Sequence, residues 1–256
     1  MVRVPGLEGR ARTVAVVGAV LVVAVGIVLR FDTHSALWLD EALTVNISSQ
    51  PLHAIPGTLR QDGAPLVYYV LLHFWMQVFG TSDLATRSMA GVIGVATLPV
   101  AWLAGRRLGG PVVAWVVLVL VASAPFAVFY STEARMYSLV ILLTGCGFLA
   151  LHRALDVPRP GNLVATAVVA ALLLYTQYWA LYLVAATGLW LLVLVVVVHR
   201  HDRGGDTWKR PAKALVAVGV GALAFAPWRS RPGSPLSSTS PSTPGPPGVR
   251  RPTSRR

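Results

Sequence analysis

Charge is what this 256-residue chain has least of: only 12% of it is Asp, Glu, Lys or Arg, against roughly a quarter in soluble domains. Cysteine is nearly absent as well. The single Cys146 permits no intrachain disulfide and no CxxC-type metal motif, and its apolar neighbours assign it to packing within lipid. Acid is scarce, with ten Asp and Glu facing 22 Lys and Arg. What fills the chain is hydrocarbon, since 55% of the residues are hydrophobic. That excludes an ordinary soluble enzyme and, for most of the length, a disordered chain. The composition is that of an all-α polytopic membrane protein.

The formal net charge of +12 raises the question of nucleic acid. Its distribution answers against it. All ten acids precede Arg229, and six of the 22 basic residues follow from that point on, which leaves 16 basic against 10 acidic groups, or +6, in the body. Those charges sit in short loops between apolar runs, the pattern of topology signals rather than of a nucleic-acid surface.

Seven apolar runs are long enough to consider as spans: 13–29, 88–105, 112–130, 136–151, 163–175, 180–198 and 214–227. The first has no small-residue cleavage pattern after it and reads as an uncleaved span. Tyr130, Tyr175, Tyr178, Trp179 and Trp228 flank the runs as interfacial anchors. Segment 65–79 (PLVYYVLLHFWMQVF) is apolar but only about 22 Å long as a helix, short of the roughly 30 Å hydrocarbon core. Tyr69, His73 and Gln77 stand at i, i+4, i+8 and make a polar stripe. The segment therefore predicts a helix lying in the interface.

The positive-inside rule tests that choice. If 65–79 does not cross and the N-terminus is cytoplasmic, the inside holds Arg3, Arg10, Arg12, Arg106, Arg107, Arg153, Arg159, Arg200, Arg203, Lys209, Arg210 and Lys213, twelve in all. The outside then holds four: Arg30, Arg60, Arg87 and Arg135. If it crosses, the count becomes five inside and eleven outside. The first arrangement predicts a cytoplasmic N-terminus (1–12), about seven spans within 13–228, and an external loop 30–87 carrying juxtamembrane helices. Residues 229–256, with seven Pro, seven Ser and six Arg, predict a disordered tail.

On this topology Asp40, Glu41 and Glu133 share the external face, where carboxylates are costly to desolvate and are functional candidates. Two readings stay open for them. They form a site, or Asp40 and Glu41 are the solvated face of a surface helix while Glu133 pairs with Arg135 or Arg87. Asp83 and Arg87 stand at i, i+4, the spacing of a local helix pair. His34, His53 and His73 lack metal-ligand spacing, so no metal is expected. Asn46-Ile47-Ser48 fits a glycosylation acceptor, a weak pattern taken alone.

An ordered series of motifs resembles a family. Trp38-Leu39-Asp40-Glu41-Ala42 resembles the acidic motif of the GT-C glycosyltransferases that use polyprenyl-phosphate sugars, a class that includes protein O-mannosyltransferases and aminoarabinose transferases. Asp62-Gly63-Ala64-Pro65-Leu66-Val67-Tyr68-Tyr69 resembles its PPL-containing stretch, with Ala64 in place of the first proline. Phe79-Gly80-Thr81-Ser82-Asp83-Leu84-Ala85-Thr86-Arg87, Gly105-Arg106-Arg107-Leu108-Gly109 and Ser131-Thr132-Glu133-Ala134-Arg135-Met136-Tyr137 follow in the family's order.

The resemblance covers about residues 37–228 and implies a GT-C-like transmembrane module in a cell membrane. It implies a polyprenyl-phosphate sugar donor, mannose or a related hexose, and an acceptor hydroxyl on a glycan, lipid or protein outside the cytoplasm. No cofactor and no nucleic-acid partner are implied. It implies Asp40 as general base and Glu41 as its assistant. Glu133, Arg135, Arg60, Tyr69 and His73 are the implied substrate contacts. Such transferases continue into an external domain, so a truncated chain is expected. A non-catalytic membrane remnant or accessory subunit and a transporter or flippase are the competing classes; the latter favours mid-span charges, of which the runs have few.

Overall fold

A computed structural model describes residues 5–33, 35–62, 64–201 and 205–229. The expected tail beyond Arg229, and the positions His34, Gly63, Arg3 and Arg203 used in the sequence argument, lie outside the described residues. Every described element is a helix: α1 (Pro5–Leu29), α2 (Leu39–Ser48), α3 (Ile55–Asp62), α4 (Val67–Phe79), α5 (Asp83–Ser123), α6 (Pro125–Phe129), α7 (Tyr137–Asp156), α8 (Pro160–Thr176), α9 (Ala180–His201), α10 (Lys209–Leu223) and α11 (Ala226–Arg229). The chain is an all-α polytopic membrane protein. Among the described residues five segments are long and apolar enough to cross a membrane, namely Gly9–Leu29, Asp83–Ser123, Tyr137–Asp156, Ala180–His201 and Lys209–Trp228.

The 41-residue α5 is two rods rather than one. Gly109 is extended and Gly110 takes a φ of +78°, a left-handed conformation that suits glycine, and Pro111 follows. The arms, 83–108 and 111–123, fold back on each other so closely that a Cβ at Gly105 would strike the backbone of Ala114. Trp102 and Trp115 meet edge to face across the hairpin at 4.8 Å. The turn falls a few residues beyond Arg106 and Arg107, beside the turn expected from the sequence. The third apolar run, read as continuous over 112–130, is broken: Ala124 is extended and Pro125 opens the short α6. Proline lacks the N–H that a continuing helix needs and drives the preceding residue out of helical conformation.

Helices α7, α8 and α10 form the packed centre, with α5 against α7 and α9 against α10. Helix α8 is only 17 residues, about 25 Å. Helix α1 touches α5 mainly near its end, where Arg30 is buried and donates to the carbonyls of Gly26, Val121 and Ala122 at 2.5–3.0 Å. Two helix C-termini thereby share one guanidinium, a favourable arrangement for their exposed carbonyls.

Helix α4 is short, as its sequence predicts, and it turns Tyr68, Tyr69, Leu72 and Met76 inward while Leu71, Phe74 and Val78 stay exposed. The polar stripe is spent on protein: His73 Nδ1–H donates to Ser48 O at 2.8 Å, and its Nε2 accepts from the Gln77 amide at 2.9 Å. Trp75 Nε1 ties α4 to α5 through Ala85 O at 2.9 Å. The Asn46-Ile47-Ser48 triplet lies inside α2 with Ile47 and Ser48 buried, not in an accessible loop.

Candidate functional site: an acidic cleft at the start of α2

Helix α2 begins after Trp38, whose extended backbone leaves an N–H free at the helix entrance. Glu41, three residues on, reaches back and accepts it at Oε2, 3.0 Å away, the acidic half of a capping box. The same carboxylate takes three more donors. Arg87 Nε and Nη2 reach Oε1 and Oε2 at 2.9 and 2.5 Å, and the Ala134 N–H reaches Oε1 at 2.7 Å. Arg87 also donates to the carbonyls of Ser35 and Ala36 at 2.5 and 3.1 Å. Glu41 is 1% exposed. Burial alone would raise its pKa, but the Arg87 hydrogen bonds and the two backbone N–H groups outweigh that and hold it below the usual carboxylate range.

Glu41 is therefore saturated. Its four acceptor sites lock together α2, the head of α5 and the 130–136 loop, and none is left for a reacting proton. Arg87 was expected to pair locally with Asp83. It turns instead to a carboxylate 46 residues away, because a buried acid needs a bidentate partner more than an exposed one does.

Asp40, one residue earlier, points the other way, and its side chain is 73% exposed. It lines a cleft of about 440 Å³ together with Trp38, Leu39, Glu41, Phe129, Tyr130, Glu133, Arg135 and Tyr137. Arg135 stands at the edge: Nη2 is 3.6 Å from Asp40 Oδ2, and Nη1 donates to Asp40 O and Thr44 Oγ1 at 3.2 and 3.3 Å. Tyr130 and Tyr137 pack at 4.5 Å to form an aromatic wall. Glu133 is half-buried, and burial followed by the nearby negative charge of Glu41 pushes its carboxyl above the usual range. Glu133 at the cleft and the saturated Glu41 beneath it are thus shifted in opposite directions.

Four of the residues expected at the site (Asp40, Glu41, Glu133 and Arg135) meet here. Three do not line the cleft. Arg60 places its guanidinium over the Trp228 ring at 5.2 Å, beside the Tyr175–Tyr178–Phe225 cluster. His73 has both ring nitrogens engaged, and Tyr69 is buried beside Tyr68. The sequence reading missed Tyr68, which is fully buried with a hydroxyl that has no hydrogen-bond partner among the described residues and lies in the field of Glu41, Arg135 and Glu133. It also missed the aromatic lining from Trp38, Phe129, Tyr130 and Tyr137. The clue available was the clustering of tyrosines around the Glu133 motif. Among the described residues no group of three His, Cys, Asp or Glu side chains is placed to hold a metal ion.

Residues 62–230 match the family model described as dolichyl-phosphate-mannose-protein mannosyltransferase. The match takes in Arg87, Glu133 and Arg135 and begins after Asp40 and Glu41. No curated protein and no solved structure matches the chain.

Proposed function

We propose that this chain, which belongs to the dolichyl-phosphate-mannose-protein mannosyltransferase family, transfers mannose or a related hexose from a polyprenyl-phosphate donor to an acceptor hydroxyl at the Asp40 cleft. The observation that carries the reading is the division of labour between neighbours: Glu41 has every acceptor site occupied, and Asp40 presents an exposed carboxylate to the cleft, paired among the described residues with the Arg135 guanidinium 3.6 Å away.

In the transfer, the acceptor oxygen bonds to the anomeric carbon as the bond from that carbon to the phosphate oxygen breaks. Asp40 takes the acceptor proton as general base. The leaving phosphate gains charge, which Arg135 meets; guanidinium geometry suits phosphate oxygens. Single displacement inverts the anomeric centre. Glu41 acts through geometry, fixing Ala134 and hence the loop that carries Glu133 and Arg135. Glu133, holding its proton more tightly, hydrogen-bonds the acceptor.

The donor's chain needs hydrocarbon. An apolar cavity of about 230 Å³ lies between α7, α8, α9 and α10, lined by Thr144, Phe148, Leu151, Leu173, Val184 and Val218 among others. Thr144, Thr166 and Thr187 at its wall each spend their hydroxyl on the carbonyl four residues back, so they offer methyl groups. Tyr137 of the cleft and Thr144 of the cavity are seven residues apart, close to one face of α7. The charge count supports seven spans with the N-terminus cytoplasmic and the cleft on the external face of a cell membrane; the acceptor there is a glycan, lipid or protein.

The test is transfer from polyprenyl-phosphate mannose in matched membranes. Asp40→Asn is expected to lose roughly 10²-fold or more in turnover with normal membrane insertion. Near-normal turnover in that variant removes Asp40 as the base.

A further inference from the structure

The end of the bundle opposite the acidic cleft carries Arg106, Arg107, Arg153, Arg159, Arg200, Lys209, Arg210 and Lys213, all exposed, against Asp156 and Asp206. Most of these cations stand on open surface. Arg107 pairs with Asp156, and Arg210 donates to the Asp156 carbonyl at 3.2 Å. Two of them do something different. Lys209 and Lys213 crown a depression of about 400 Å³ whose remaining lining is Leu163, Trp208, Ala212 and Val216.

The geometry of α10 gives this depression a shape. Lys209, Ala212, Lys213 and Val216 follow at i, i+3, i+4 and i+7, so they share one helix face. Below them Val220 and Leu223 continue the same face, exposed at 55% and 72%. From Lys213 to Leu223 the helix rises about 15 Å, half of the roughly 30 Å hydrocarbon core, which is the depth of one leaflet. Trp208, held edge to face against His199 at 5.4 Å, stands at the height where tryptophan marks the membrane interface. Lys209 meets Asp206 at 2.6 Å with both partners largely exposed, so the pair is weak. The neighbouring charges sum to one excess cation over an apolar floor.

From this we propose that the Lys209–Lys213 face of α10 is a docking site for a phospholipid with an anionic headgroup, phosphodiester between the two ammonium groups and one acyl chain along Val216, Val220 and Leu223. Residues at i, i+4 hold their Cβ atoms about 5–6 Å apart, a span that brackets one phosphate, and lysine stems lie along apolar surface while their heads reach the headgroup. A zwitterionic choline lipid brings its own cation to the same two lysines, which favours the anionic lipid. Basic pockets at helix ends bind such headgroups elsewhere on the same physical grounds. The site is independent of the transfer chemistry at the other end.

Native mass spectrometry of the purified chain in detergent tests the assignment, with phosphatidylglycerol and phosphatidylcholine of identical chains as probes. Phosphatidylglycerol is expected to be retained roughly tenfold more tightly, and the double variant Lys209→Gln/Lys213→Gln to lose about that factor while phosphatidylcholine is unaffected. The double variant Arg106→Gln/Arg200→Gln, at the same end but outside the depression, is expected to change retention by less than about twofold. Equal retention of the two lipids overturns the proposal. So does an equal loss in both double variants, which means diffuse attraction to a basic surface, and so does release of bound lipid by millimolar inorganic phosphate, which means a free-anion site.

Discussion

The two ends of this helical bundle use charge in opposite ways. At the end bearing the acidic cleft, Arg30, Arg87 and Glu41 are buried and nearly every polar atom they own is hydrogen-bonded. At the other end the cations and the carboxylates they pair with are exposed to solvent. A buried charge survives only with partners fixed around it, so the first end gains rigidity from its charges. The second keeps charge available to whatever approaches. Rigidity suits a site where a base, a phosphate and a hydroxyl are held in one geometry; exposed cations suit a surface that meets mobile lipid headgroups.

The sharpest way to break that comparison is to remove Glu41. Glu41→Ala leaves Arg87 buried without its carboxylate, the situation in which breaking a buried pair costs about 3–5 kcal/mol. A large fall in thermal stability in detergent is expected. Asp40→Ala, one residue away and exposed, is expected to change stability by no more than about 0.5 kcal/mol. Equal effects from the two substitutions, measured on the same preparation, mean that the buried network holds nothing together. The stabilising contribution of Glu41 also has a pH sign. Its folded pKa is lowered, so the contribution is present above the ordinary carboxylate value and is lost as pH falls through the folded one.

Glu133 should show the reverse sign with a smaller amplitude. Its folded pKa is raised, by burial first and by Glu41 next, so its contribution is favourable below the ordinary carboxylate value and is lost as pH rises through the folded one. Glu133→Gln is therefore expected to be more stable than the parent at neutral pH, with the difference closing in acid. Thermal melting across pH checks this. A gap that widens in acid means that Glu133 is stabilised as an anion, opposite to the direction that burial and the charge of Glu41 impose.

How much of this was legible follows from how local each cause is. The rods could be read because an apolar run needs no knowledge of its neighbours, and the α5 turn because Arg106 and Arg107 interrupt the apolar runs on either side of it. The break at Pro125 was equally local, yet the apolar run across it masked the signal. Arg87 was misread for a physical reason: the i, i+4 rule describes an isolated helix, and the buried Glu41 outcompeted Asp83. The stripe arithmetic on α4 picked Tyr69 and His73 but could not say which way the helix rolls, and the roll spends His73 on Ser48 and buries Tyr68. Arg60 was placed by its side of the membrane alone, and only packing shows that α3 carries it to Trp228. Asp40, Glu133 and Arg135 were legible as residues, while their meeting depended on Glu41 holding Ala134.

The smallest expected effect lies at the basic end and tests whether its charge pairs are as idle as their exposure suggests. Arg107 and Asp156 link the α5 turn to the end of α7, and their side chains are 41% and 50% exposed. Water screens such a pair, and ordering a long arginine costs side-chain entropy, so exposed pairs contribute about 0–1 kcal/mol. Arg107→Gln is expected to lower thermal stability by no more than that, with the remaining difference fading as salt is raised and the Debye length shrinks from about 10 Å at 0.1 M to about 3 Å at 1 M. The contrast with Arg87 is the point: both arginines meet a carboxylate from another element, and only burial separates them. If Arg107→Gln destabilises as strongly as loss of the Glu41–Arg87 pair, and does so at any salt concentration, then the basic end is a structural lock like the acidic one, and the division between a rigid end and an available end fails.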